Sequence, residues 1–263
     1  MHLKSIVALA ALAASPAFAF SAQEAEEEFN WAGSVARGDH IEIQNLNGPI
    51  AAEYTSGDRV EVVAYKEGPR DHIEEVDIEV VEHANGVTIC SVYPNRDGRS
   101  NVCGPGDDAN LNNNGKNKTR VTFTVRVPAG VDLIADTMNG RVTTDDMQSN
   151  LRLETMNGAI TADSTGWIHA ETMNGAVDVA MGSADWTGGL ELSSMNGSIE
   201  VALPGSADVD VDAETMNGRV TSDFDGVEIR GRRKNHANGT IGSGGRDLDL
   251  STMNGSIRIR RSR

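Results

Sequence analysis

The tetrapeptide Thr/Ser-Met-Asn-Gly occurs six times in the C-terminal half of this 263-residue chain. The copies are Thr137-Met138-Asn139-Gly140, Thr155-Met156-Asn157-Gly158, Thr172-Met173-Asn174-Gly175, Ser194-Met195-Asn196-Gly197, Thr215-Met216-Asn217-Gly218 and Thr252-Met253-Asn254-Gly255. A degenerate copy, His236-Ala237-Asn238-Gly239, interrupts the widest gap. Each Gly is followed by one variable residue and then Ile or Val, as at Val142, Ile160 and Val177. Alternating apolar residues precede the motif, as at Leu151 and Leu153. A repeat of about 20 residues is one supersecondary unit that buries its apolar face only by stacking on its neighbours.

Alternation with period two reads as half-buried strands. It extends upstream through His40–Ile43, Arg59–Val63, Val76–Val80, Gly86–Ile89 and Thr119–Val127. Asn-Gly between such runs is ordinarily a hairpin turn. Here a corner is the better reading, because copies one turn apart, about 4.8 Å in a stacked sheet, align equal residues into ladders. The fold expected is all-β: a right-handed β-solenoid, like a single-stranded β-helix, preceded by a smaller β layer. The segments expected are a signal peptide over 1–19, an acidic lead, flexible over 20–28, and first strand over 20–39, an N-terminal β region over 40–130 and the repeat over 131–263. The polar stretch 94–118 reads as an exposed insertion rich in Asn, Gly and Asp.

At the corners, Gly is expected to supply a positive φ. Asn is expected to bond its own equivalent in adjacent turns. The structural corners are thus Asn139, Gly140, Asn157, Gly158, Asn174, Gly175, Asn196, Gly197, Asn217, Gly218, Asn254 and Gly255. The ladder Met138, Met156, Met173, Met195, Met216 and Met253 has two readings. Regularly spaced Met most simply fills a layered core. Turned outward, it is a contact stripe or a soft thioether site for Cu(I). The residue before each motif forms a further ladder, in which Asp136, Glu154 and Glu171 stack like charges. These three are weak metal candidates, solvation being the default for carboxylates. Asp208, Asp210 and Asp212 form another acidic face that hard-cation chemistry could use.

The opening residues fit an export signal, with Lys4, an apolar stretch over Ile6–Ala14 and Ala17-Phe18-Ala19 as cleavage site. That stretch is too short to span a bilayer. Export makes the pair Cys90 and Cys103 a disulfide. The net charge of −16 excludes general nucleic-acid binding. Residues 226–263 nevertheless hold nine Lys/Arg against three acids. This end reads as a solvated basic coil, or alternatively as a contact for an anionic surface. The histidines are scattered, and no Gly-x-Ser-x-Gly, His-Glu-x-x-His or phosphate loop is present. No cofactor and no catalytic residue is expected.

The repeated (Thr/Ser)-x-Asn-Gly-x-(Ile/Val) units, together with Ile41–Ile50 and Thr124–Pro128, resemble the bacterial putative-adhesin family of β-strand repeat proteins, a domain of unknown function. They are also similar to the head domains of autotransporter adhesins, although no C-terminal barrel follows the repeats. The resemblance spans roughly 40–263. It implies a non-enzymatic adhesin or scaffold, periplasmic or cell-surface, whose partner is an envelope polymer or protein. The rivals are a polysaccharide-cleaving enzyme on a β-solenoid and a cation-binding surface protein.

Overall fold

The computed structural model describes residues 24–95, 101–113 and 116–262. The expected signal peptide lies outside these residues. The chain begins with β1 (Glu24–Gly33), β2 (His40–Asn47), β3 (Ile50–Thr55) and β4 (Val60–Pro69). A short helix α1 (Arg70–Ile73) leads to β5 (Asp77–His83), β6 (Gly86–Val92) and β7 (Arg120–Pro128). Strand pairs then follow, each joined by one motif. They are β8 (Asp132–Asn139) with β9 (Val142–Asp145), β10 (Leu151–Asn157) with β11 (Ile160–Ser164), and β12 (Ile168–Asn174) with β13 (Val177–Met181). Next come β14 (Gly189–Asn196) with β15 (Ile199–Leu203), and β16 (Val209–Asn217) with β17 (Val220–Ser222). A hairpin of β18 (Val227–Arg230) and β19 (His236–Ile241) precedes the last pair, β20 (Asp247–Asn254) with β21 (Ile257–Arg261).

The strands form two large sheets. One runs β1-β4-β7-β3-β9-β11-β13-β15-β21-β17, the other β18-β19-β16-β20-β14-β12-β10-β8-β2-β6-β5. Each motif joins a strand of one sheet to a strand of the other, so a strand pair is one rung of a stack. Rungs pair in parallel register, with Leu151 beside Leu133 and Ile168, and Ile160 beside Val142 and Val177. Inward positions of both sheets meet in one continuous apolar core. Large and small residues alternate in the row Ile43, Ala135, Leu153, Ala170 and Leu192, which lets successive layers interdigitate.

The rung order departs from chain order. β20 sits between β14 and β16, and β21 between β15 and β17. The last rung in sequence is therefore inserted between the two before it. The hairpin β18–β19 runs antiparallel on β16 and closes that end of the sheet, which covers an otherwise open edge.

Several expectations are corrected. The degenerate copy His236–Gly239 lies inside strand β19, where Asn238 opposes Asp212, and makes no corner. The acidic lead is ordered from Glu24, since β1 pairs along all of β4 and Glu27 meets the buried Lys66 at 2.9 Å. The last basic run, Arg258 to Arg261, is strand β21 rather than coil, while Arg232, Arg233 and Lys234 lie exposed in the turn between β18 and β19. Arg260 lies 2.5 Å from Glu200, and Arg261 stacks on Phe224. The polar insertion is not uniformly exposed: Cys103 and Gly104 are buried against the second sheet.

Candidate functional site

Three of the four motif positions have a structural task. The Thr or Ser points inward and donates to the Gly carbonyl of the adjacent rung. Thr155 Oγ1 reaches Gly140 at 2.8 Å, Thr172 reaches Gly158 at 2.9 Å and Ser194 reaches Gly175 at 2.8 Å. The Asn side chains form a ladder, each Nδ2 donating to the Oδ1 of the next. It runs Asn157 to Asn139, Asn174 to Asn157, Asn196 to Asn174, Asn254 to Asn196 and Asn217 to Asn254, at 2.8–3.0 Å.

The Gly is required for a reason other than the one expected. None of the six motif glycines has a positive φ; of the corner glycines only Gly48, in the upstream Asn47-Gly48 corner, does. Instead the backbones approach so closely that a Cβ on Gly158 would land on the Gly140 carbonyl oxygen, and one on Gly175 on that of Gly158.

The fourth position, Met, points out of the second sheet. The six side chains are between 38 % (Met138) and 61 % (Met216) exposed, so the core-filler reading fails. The corner rotates the chain after the inward Thr, which leaves both Met156 and Asn157 outside. The upstream corner differs: Leu46 takes the Met position and is buried, and Asn45 replaces Thr, donating to Gly48 at 3.0 Å.

Beside the Met stripe runs the ladder Gln44, Asp136, Glu154, Glu171, Ser193, Ser251 and Glu214. Apart from Gln44 and Met138, the two rows line a shallow groove of about 760 Å³ across the outer face. Asp136, Glu154 and Glu171 are thus brought together as the sequence spacing implies, and their electrostatics differ. The Asp136 carboxyl is pushed up to about 6 by partial burial, then by Glu154 and Glu42. Its edge stays exposed, so solvent screens part of that effect. Burial and then Glu154 raise Glu171. Arg152 lies 2.6 Å from Glu154, and His169 Nε2 lies 2.9 Å from Glu171. The His169 ring is held below the ordinary imidazole value by burial and then by Arg152.

The other acidic face is occupied from within. Ser243 N–H donates to Asp208 at 2.6 Å, and Gly245 N–H donates to Asp210 at 2.8 Å. That second bond, with Thr240, lowers the Asp210 carboxyl. The turn Gly242–Arg246 therefore binds Asp208 Oδ1 and Asp210 Oδ2 with its own N–H groups.

The Cys90–Cys103 disulfide is formed. It seats the insertion on β2, where Gly104 accepts from Gln44 Nε2 at 3.2 Å and Gly106 N–H donates to Glu42 at 3.1 Å. Sequence reasoning left His40 and His83 as scattered residues. The fold brings their rings to 5.3 Å, a contact with no local signal because β5 reaches β2 only through β6.

Residues 39–260 match the family model described as Toastrack DUF4097. No curated protein matches the sequence. Among solved structures, one described as a putative cell adhesion protein from Clostridium sporogenes is similar at 13% identity and a TM-score of 0.51, covering 90% of this chain and 100% of its own. A putative adhesin from Bacteroides fragilis is similar at 14% identity and a TM-score of 0.36, over 89% of this chain and 97% of its own.

Proposed function

Because the chain belongs to the Toastrack DUF4097 family, we propose that it is a non-enzymatic adhesin- or scaffold-type protein, exported to the periplasm or cell surface, whose Met-lined face holds an extended partner. One observation carries this reading: Met is the only motif residue without a structural task, yet it recurs six times with its side chain exposed. Thr, Asn and Gly are each accounted for by bonds or contacts between rungs. A row of exposed thioethers is a soft, adaptable contact surface. The parallel acid ladder favours a partner that presents basic as well as apolar groups, on a protein segment or an envelope polymer.

Among the described residues, no helix is long and apolar enough to cross a membrane. We read the rung stack as a right-handed solenoid, since crossovers between parallel strands of one sheet are almost always right-handed.

The test compares wild type with the double variant Met156→Ser, Met173→Ser in pulldowns from envelope extracts and on glycan arrays. Lost binding at unchanged thermal stability supports the reading. Retained binding places the contact elsewhere. The polysaccharide-cleaving alternative has one point in its favour, the raised Asp136 carboxyl stacked beside Glu154 in an open groove. Depolymerisation of an acidic or neutral polysaccharide, abolished in Asp136→Asn, would replace the adhesin reading with the enzymatic one.

A further inference from the structure

The strands β2, β6 and β5 are consecutive in the second sheet. His40 is the register partner of Gly86, and Gly86 is in turn the partner of His83. Residues in register share a face, and Gly86 places no side chain between the two imidazoles. Two residues along β2, on the same face, is Glu42. One ligand atom from each of His40, Glu42 and His83 lies within 4.8 Å of the other two.

Glu42 is 3 % exposed. It accepts from Gln44 Nε2 at 2.8 Å, Thr88 Oγ1 at 2.7 Å and Gly106 N–H at 3.1 Å. Among the described residues, no Lys or Arg forms an ion pair with it. A carboxylate buried without a cation is costly, and the two facing groups are ring nitrogens able to share a cation with it.

We propose that His40, Glu42 and His83 bind a divalent transition-metal ion of the Zn²⁺ class. Two imidazoles and one carboxylate are a donor set for Zn²⁺ and its first-row neighbours, while Ca²⁺ and Mg²⁺ require oxygen ligands. A tetrahedral ion with bonds of about 2.0–2.2 Å holds its ligand atoms about 3.4 Å apart, so small side-chain rotations close the site. Thr88 Oγ1 donates to Glu42 Oε2 at 2.7 Å and therefore accepts from His83 Nε2 at 3.1 Å, while Asn85 N–H donates to His83 Nδ1 at 3.4 Å. An ion displaces one of the two His83 contacts, and the one that remains orients the ring. His40 and Glu42 also line a cleft of about 400 Å³, bounded by Pro105, Gly106 and Arg152, through which an ion reaches the site from solvent. The cleft adjoins the Asp136–Glu154 end of the acid ladder, which lines both, but no motif Met takes part in the proposed metal site, which does not rest on the function proposed for the stripe.

The untagged protein, stripped with EDTA, is titrated calorimetrically with Zn²⁺ alone and, separately, with Ca²⁺. One Zn²⁺ per chain is expected, with a Kd in the micromolar range or tighter, a raised Tm and no response to Ca²⁺. His40→Gln and His83→Gln each lower Zn²⁺ affinity at least about tenfold. Both rings are only partly buried, so the metal-free Tm of these variants stays near wild type. Glu42→Gln is a third variant, read only if its circular dichroism is native. Absence of saturable Zn²⁺ binding, wild-type Zn²⁺ affinity in either His variant, or Ca²⁺ binding as tight as Zn²⁺ overturns the site. The three side chains would then be a hydrogen-bonded network alone.

Discussion

Thr155 Oγ1 donates a 2.8 Å hydrogen bond to the carbonyl oxygen of Gly140, one rung away. Thr155→Val keeps the shape and removes the donor, leaving that carbonyl short of a partner. A loss of about 1–2 kcal/mol is expected in urea denaturation. Thr155→Ser stays within about 0.5 kcal/mol of wild type, because Ser194 makes the equivalent bond. A Val variant as stable as wild type would refute the role assigned to the hydroxyl.

Gly158→Ala drives a Cβ into the Gly140 carbonyl, backbone against backbone. The rungs must separate locally, at a cost of about 2–3 kcal/mol. Gly57→Ala is the control, since its Cβ meets only the Thr55 hydroxyl at 3.4 Å, and its stability should change by less than about 0.5 kcal/mol. Comparable melting temperatures for the two variants would contradict close rung approach as the reason for Gly.

Asp136 makes stability depend on pH with a definite sign. Its folded-state value lies above its unfolded one, so the native state holds the proton more firmly. The charge penalty is absent below 3.8, grows between 3.8 and about 6, and is complete above that window. Asp136→Asn should therefore stabilise the protein at pH 7, by under about 1 kcal/mol because the exposed edge is screened. The gain should vanish below pH 3.8. A gain that persists at low pH would assign the effect to something other than charge.

Removing residues 247–263 tests the rung order. In a stack that follows chain order, loss of the last rung trims an end. Here β20 separates β14 from β16, so its removal detaches β16 and the β18–β19 hairpin together. Limited proteolysis should cut the truncated protein throughout 209–241 while 132–203 stays protected. Protection of 209–241 would mean that β16 can dock on β14 directly.

The double variant Cys90→Ser, Cys103→Ser opens the loop closed by the disulfide. A loss of about 3 kcal/mol is expected from loop entropy. Gly106 should also leave Glu42, so amide exchange at Gly106 should rise before that of β2. Unchanged exchange there would show that the loop is held by its other bonds.

The sequence by itself determined the rung. Period-two alternation before Leu153 and after Gly158 specifies inward and outward faces, and the motif spacing places a corner on each strand pair, because both signals arise from residues a few positions apart. The disulfide was legible from its two cysteines together with the expected export signal. The stacked carboxylates Asp136, Glu154 and Glu171 followed from the repeat, since equal positions in parallel rungs become neighbours.

Tertiary structure decided what depends on contacts between distant segments. Alternation carried through Leu153 and Thr155 points Met156 outward and Asn157 inward; the structure keeps the first and reverses the second, because the corner turns the chain there and leaves Asn157 outside as well. The need for Gly158 came from the backbone of the neighbouring rung and not from its own φ. The place of β20 between β14 and β16 left no trace in the motif, which is the same in every rung and would pair with any of them. His40 and His83 met beside Glu42 only because β6 pairs with both β2 and β5. Local pattern encodes the repeating unit; the order of units, and the side chains that order brings together, are settled by which surfaces pack.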